Sequence, residues 1–87
     1  MSYFVYILKS KKTERYYIGY TSDIVCRLEK HNAGATTSTR SGRPWELLYY
    51  EEFQEKKLAI LREREIKKKK SRVYIEALIN SFSGSDA

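Results

Sequence analysis

The run Tyr3-Phe4-Val5-Tyr6-Ile7-Leu8 constrains this chain more than any other feature. It is aromatic, β-branched and aliphatic throughout and shows no helical period, so it reads as a strand. Successive strand residues point to opposite faces. A strand with no polar position must therefore be covered on both faces, and in a chain of 87 residues the rest of a single domain must supply that cover.

The remaining elements follow from period and punctuation. Residues 9–15 are polar and read as a hairpin loop. Tyr16-Tyr17-Ile18-Gly19-Tyr20 is a second strand, most simply antiparallel to the first. Gly19 either ends it or permits a close backbone approach. Thr21-Ser22-Asp23 offers capping oxygens, a helix runs from about Ile24 to His31, and Asn32-Ala33-Gly34 stops it. Residues 33–44, rich in small, hydroxylated and basic side chains, read as a loop. Trp45 to Phe53 is a third strand. Glu55 to Lys70 has helical spacing, with Leu58, Ala59, Arg62 and Ile66 on one side, and Ser71 caps a last helix from Val73 to Phe82. The order β-β-α-β-α-α predicts an α+β fold, with one domain over residues 1–82 and a disordered tail over 83–87.

Composition narrows the function. Lys and Arg number 17 against 11 Asp and Glu, a formal charge of +6 at pH 7. That bias favours a polyanion, and eight tyrosines suit either base stacking or strand formation. The 33–44 loop brings Arg40, Arg43 and five hydroxyls, all able to donate to phosphate; a surface loop without such a role fits equally. Lys67 and Lys68 open a four-lysine run that either contacts nucleic acid or simply complements a helix C-terminus. One cysteine excludes an internal disulfide, and no Cys/His cluster suggests structural zinc. The longest apolar run is far too short to span a bilayer, and no signal-peptide pattern opens the chain. The expectation is a cytoplasmic protein with no membrane partner.

Three polar residues occupy positions where apolar ones are expected. Arg27 and His31 lie four apart on the same arc of the first helix as Ile24 and Leu28. Arg27 is either a stem that snorkels to solvent or a phosphate ligand. His31 is either a C-terminal dipole cap or its companion in a phosphate-binding pair. Glu63 flanks the inward stripe of the second long helix and Glu65 flanks its other side, so periodicity alone does not choose between them. Cys26 points off the inward arc and has no base to activate it.

These residues resemble the GIY-YIG nuclease family. Phe4-Val5-Tyr6 stands for the first motif and Tyr17-Ile18-Gly19 for the second, with ten residues between the tyrosines. Arg27 and then Glu63, within Ala59-Ile60-Leu61-Arg62-Glu63, follow in the family's order. The resemblance covers roughly residues 3–80 and is nearest to small stand-alone bacterial members. It implies a three-stranded antiparallel sheet flanked by helices and phosphodiester hydrolysis with one divalent ion, Mg²⁺ or Mn²⁺. It makes Glu63 the metal ligand and Arg27, Tyr6, Tyr17 and His31 its catalytic companions. The expected substrate is nucleic acid, with DNA favoured over RNA but the residues not deciding between them, and DNA repair or recombination is one setting for such a nuclease. A single Glu suffices for Mg²⁺, which takes its remaining ligands from water and phosphate. Either tyrosine can be the base or water-positioner and the other its hydrogen-bond partner. The alternative is a non-catalytic nucleic-acid-binding module, or a nuclease-fold subunit that needs a partner. The chain departs from the family at Phe4, where the motif has glycine, and at Tyr20, where some members carry lysine. No helix-turn-helix or zinc-finger pattern accompanies it, so sequence-specific cleavage is not expected. Oligomeric state is not readable from the residues.

Overall fold

A computed structural model describes residues 1–84. Its elements are β1 (Tyr3–Ser10), β2 (Tyr16–Thr21), α1 (Ile24–Asn32), α2 (Thr37–Arg40), β3 (Trp45–Phe53), α3 (Lys56–Lys69) and α4 (Arg72–Gly84). The three strands form one antiparallel sheet in the order β2-β1-β3. β1 is central, and Val5, Tyr6, Ile7 and Leu8 are all buried. Val5 and Ile7 face Tyr49, Ala59 and Ile66 and, from α4, Ile75. Tyr6 and Leu8 face Trp45 together with Leu28 of α1. The sheet is thus covered by α3 and α4 on one side and by α1 on the other, as an all-apolar strand requires.

β3 serves both faces through a single irregularity. Ile7 pairs with Tyr49 but Leu8 pairs with Leu47, so Leu48 is an extra residue in β3. In a regular strand Trp45 and Tyr49 would share a face. The bulge reverses the alternation: Trp45 and Leu47 pack beside Tyr6, whereas Tyr49 and Phe53 pack beside Val5.

Local chemistry sets the helix ends. The Asp23 carboxylate accepts the Cys26 N–H at 3.0 Å, capping α1. Gly34, at φ +81, takes the left-handed turn that closes the helix. The Ser71 hydroxyl accepts the Tyr74 N–H at 3.1 Å and starts α4.

Three expectations are corrected. The 33–44 segment is not an open loop: it contains α2, the Trp45 indole donates to Thr39 O at 2.7 Å, and the Asn32 side chain holds both Trp45 N and Trp45 O. Leu58 does not face inward; it is 41% exposed, because the buried stripe runs through Ala59 and Ile66 and a one-residue offset turns a side chain about 100° away. Arg62 does point inward, and its charge is met by Glu51 at 2.9 Å and Glu65 at 2.7 Å. Burial alone would raise the Glu51 carboxyl, but hydrogen bonds from Arg62 and Tyr49 prevail and hold it below the ordinary range. At the C-terminal end α4 continues through Gly84, so Ser83 and Gly84 are helical rather than part of the expected tail. The rest of that tail, residues 85–87, lies outside the described residues. Among the described residues no helix is long and apolar enough to cross a membrane.

Candidate active site

The site forms at the open edge of β2. Tyr6 stands directly opposite Gly19 in the β1–β2 pair. A Cβ at position 19 would lie 2.6 Å from Tyr6 Oη, so the missing side chain is the space through which the Tyr6 ring reaches the sheet edge. Tyr17, two residues earlier on the same face, stacks on Tyr6 with ring centroids 6.3 Å apart and meets the His31 ring at 4.8 Å. Arg27 arrives from α1 and Glu63 from α3, on the opposite side of the sheet. Tyr6, Tyr17, Arg27 and Glu63 border one cleft of about 390 Å³.

His31 stands behind Tyr6 rather than in the cleft. It is 1% exposed; Nε2 lies 3.1 Å from Tyr6 Oη and Nδ1 lies 2.8 Å from Thr39 Oγ1. Burial, aided by the Arg27 charge, lowers its pKa below the ordinary histidine value. Neither reading of His31 drawn from helix periodicity survives. A neutral imidazole with both nitrogens engaged is neither a cationic cap nor a phosphate ligand beside Arg27. Tyr6 is pushed well above the usual phenol range, first by burial and then by Tyr17; Arg27 opposes the rise and Glu63 adds to it. The resting group is therefore a phenol.

Glu63 and Glu65, equivalent by periodicity, part company here. Glu65 turns to Arg62, whereas Glu63 is the one carboxylate among the described residues that line the cleft, with its side chain 15% exposed and Lys67 3.4 Å away. Among the described residues no three His, Cys, Asp or Glu side chains cluster as a ready metal cage. A lone carboxylate fits a hard cation that keeps its waters and shares substrate oxygens, and does not fit zinc.

The four basic residues singled out for nucleic acid fall in different places. Arg40 and Arg43 border a separate depression with Lys12, and each also holds backbone, Arg40 Nε on Gly34 O and Arg43 Nε on Arg40 O. Lys67 stands beside Glu63 and also lines a groove of about 490 Å³ on the far side of Tyr17, together with Arg15. Lys68 is exposed on α3 and lines neither. Sequence reasoning missed Lys56, which lines the cleft; its signal was a position two helical turns before Glu63 on the same stripe. It also missed Thr39, one hydroxyl among five in the 33–44 segment.

The comparisons agree with one another. The model of the GIY-YIG catalytic domain matches residues 2–76. A UPF0213 protein of Staphylococcus aureus strain Mu3 is 43% identical over 67 residues, covering 76% of this chain and 80% of the relative. The UPF0213 protein of strain Mu50 gives the same figures. The solution NMR structure of a UPF0213 protein from Bacillus halodurans is similar with a TM-score of 0.58 and 36% identity, covering 92% of this chain and 84% of that one.

Proposed function

This chain belongs to the GIY-YIG family, and from that premise we propose that it is a divalent-metal-dependent endonuclease that hydrolyses phosphodiester bonds in DNA, in repair or recombination. One observation carries the reading. Two phenols, a guanidinium and a carboxylate from four different elements meet at one cleft on a sheet edge, an arrangement that core packing does not require.

Glu63 would hold the ion, Mg²⁺ or Mn²⁺. When bound, such an ion neutralises charge on the scissile phosphate and eases deprotonation of water. The chain's own residues do the rest. Arg27 presents a forked, permanently charged donor to a non-bridging phosphate oxygen. The Tyr6 hydroxyl faces the cleft while hydrogen-bonded to His31 Nε2, which suits it to take a proton from the attacking water as its own proton passes to His31. A phenol with so high a pKa is a poor resting phenolate, so concerted transfer through it is the favoured route. Tyr17 packs against both the Tyr6 and His31 rings and orients them. Lys67 and Lys68 and, farther off, Arg40 and Arg43 would meet flanking phosphates.

A cleavage screen over single-stranded, duplex, flapped and four-way DNA with Mg²⁺ or Mn²⁺, and RNA in parallel, tests this. Glu63→Gln and Arg27→Ala should each lower the rate by about 100-fold or more while remaining folded. Cleavage without metal, or undiminished in Glu63→Gln, overturns the proposal. A second reading is a nucleic-acid-binding module, or a subunit that needs a partner to cut. The existing Glu63–Lys67 ion pair favours it, because the lysine already neutralises the carboxylate. It predicts salt-sensitive binding with no product under any metal.

A further inference from the structure

Building on that proton path, we propose that Thr39 is a positioning residue: its buried hydroxyl fixes the tautomer of His31 and thereby holds Tyr6 with its O–H turned inward and its oxygen lone pairs toward the cleft. The polarity of the whole chain of hydrogen bonds follows from one end. Thr39 Oγ1 lies 3.3 Å from Thr36 O and 2.8 Å from His31 Nδ1. We assign the Thr39 proton to Thr36 O, an acceptor that also takes the Thr39 N–H at 3.2 Å. With that assignment Oγ1 accepts from His31 and the ring proton lies on Nδ1; a Thr39 proton turned to Nδ1 instead would give the Nε2–H ring, and the nitrogen signals named below separate the two. A neutral imidazole has one N–H, so Nε2 is an acceptor and the Tyr6 O–H donates to it across 3.1 Å.

At rest the surroundings keep the ring neutral, which leaves the Nε2 lone pair free for the Tyr6 proton and makes the imidazolium formed on that transfer short-lived. The groups that face His31 are Tyr6 from β1, Tyr17 from β2, Thr39 from α2 and Arg27 on its own helix. None is a carboxylate that would stabilise an imidazolium, and Arg27 works against one. Thr39 is itself held in place: it is 3% exposed and its carbonyl accepts the Trp45 indole N–H.

In the opposite tautomer the same atoms do the opposite work. Nε2–H would donate to Tyr6 Oη, and the phenol proton would point into the cleft. Tyr6 would then be a donor there, unable to take a proton from water. Thr39→Val removes the acceptor for Nδ1–H and leaves a buried donor unpaired, an outcome the Nε2–H form avoids. Thr39→Ser keeps the hydroxyl.

The chain has one histidine, so ¹⁵N NMR of its ring nitrogens reports the tautomer without ambiguity. Wild type and Thr39→Ser should show Nδ1 protonated and Nε2 free, and Thr39→Val should show the reverse. In cleavage assays kcat should fall about 100-fold in Thr39→Val with KM little changed, and recover in Thr39→Ser. Thr39→Ala provides the same comparison if the valine variant does not fold. An unaltered ¹⁵N pattern in the variant, or a reversed pattern with kcat intact, overturns the proposal. If the wild type proves inert on every substrate, the nuclease reading fails on its own; the nitrogen signals then still decide whether Thr39 governs His31, reversal upholding it and constancy refuting it.

Discussion

A Cβ at position 19 would lie 2.6 Å from Tyr6 Oη and 2.8 Å from its Cζ. The ring has nowhere to retreat, because Tyr6 is buried and hydrogen-bonded to His31. Gly19→Ala should therefore displace the Tyr6 hydroxyl, costing about 1–3 kcal/mol of stability and about 100-fold in cleavage rate. Paired thermal denaturation and cleavage assays check this, and wild-type activity in the variant would count against Tyr6 as the proton acceptor. His31 makes a pH prediction. Its folded pKa lies below its unfolded one, so the unfolded chain binds the extra proton. Stability is then full above the unfolded value and falls as pH drops below about 6.5, with a slope of up to about 1.4 kcal/mol per pH unit. Urea melts across that range should show the slope in wild type and its loss in His31→Gln. The motif tyrosines, Arg27 and Glu63 were singled out by their order along the chain. Period alone left Glu63 and Glu65 equal, and what separates them in the fold, the pairing of Arg62 with Glu65, is a matter of packing. Thr39 was invisible because its partners, His31 and Thr36, meet it only through the folded segment.

Strands and long helices were readable because their period is local: an all-apolar run gives a central strand, and a 3.6-residue stripe gives α3. α2 was missed because four residues are too few to display a period. The Leu48 bulge was missed because the extra residue is defined only against β1. The end of α3 offers an engineering test at this scale. Lys70 closes the helix at φ 48 and ψ 37, a left-handed conformation that glycine adopts without steric penalty. Lys70→Gly should raise stability by about 0.5–1 kcal/mol after the loss of a favourable terminal charge, lifting Tm by a few degrees. Calorimetry decides it; a lower Tm would mean that the lysine charge outweighs the relieved backbone.

Part of the basic surface behind the net charge of +6 lines two separate regions. Arg27 and Lys56 border the cleft and Arg15 and Lys67 the groove beside it, whereas Lys12, Arg40 and Arg43 surround a depression that shares no lining residue with either. On the proposed reading a polyanion bound at Tyr6 would run past the first set, and the second set would meet a different part of it. The two sets are separable by salt. Each lost phosphate contact should flatten the log–log dependence of affinity on salt by about 0.7 for a single strand or about 0.9 for duplex. With labelled oligonucleotides in EDTA, Lys56→Ala and Arg15→Ala should each flatten that slope, while Lys12→Ala should leave it unchanged on short substrates. Arg40 is a poor probe because its Nε holds Gly34 O, so its loss would disturb the segment that carries Thr39. If Lys12→Ala flattens the slope and Lys56→Ala does not, the strand lies across the other depression. The tyrosine cleft would then be reached, if at all, only by a distant part of the same molecule.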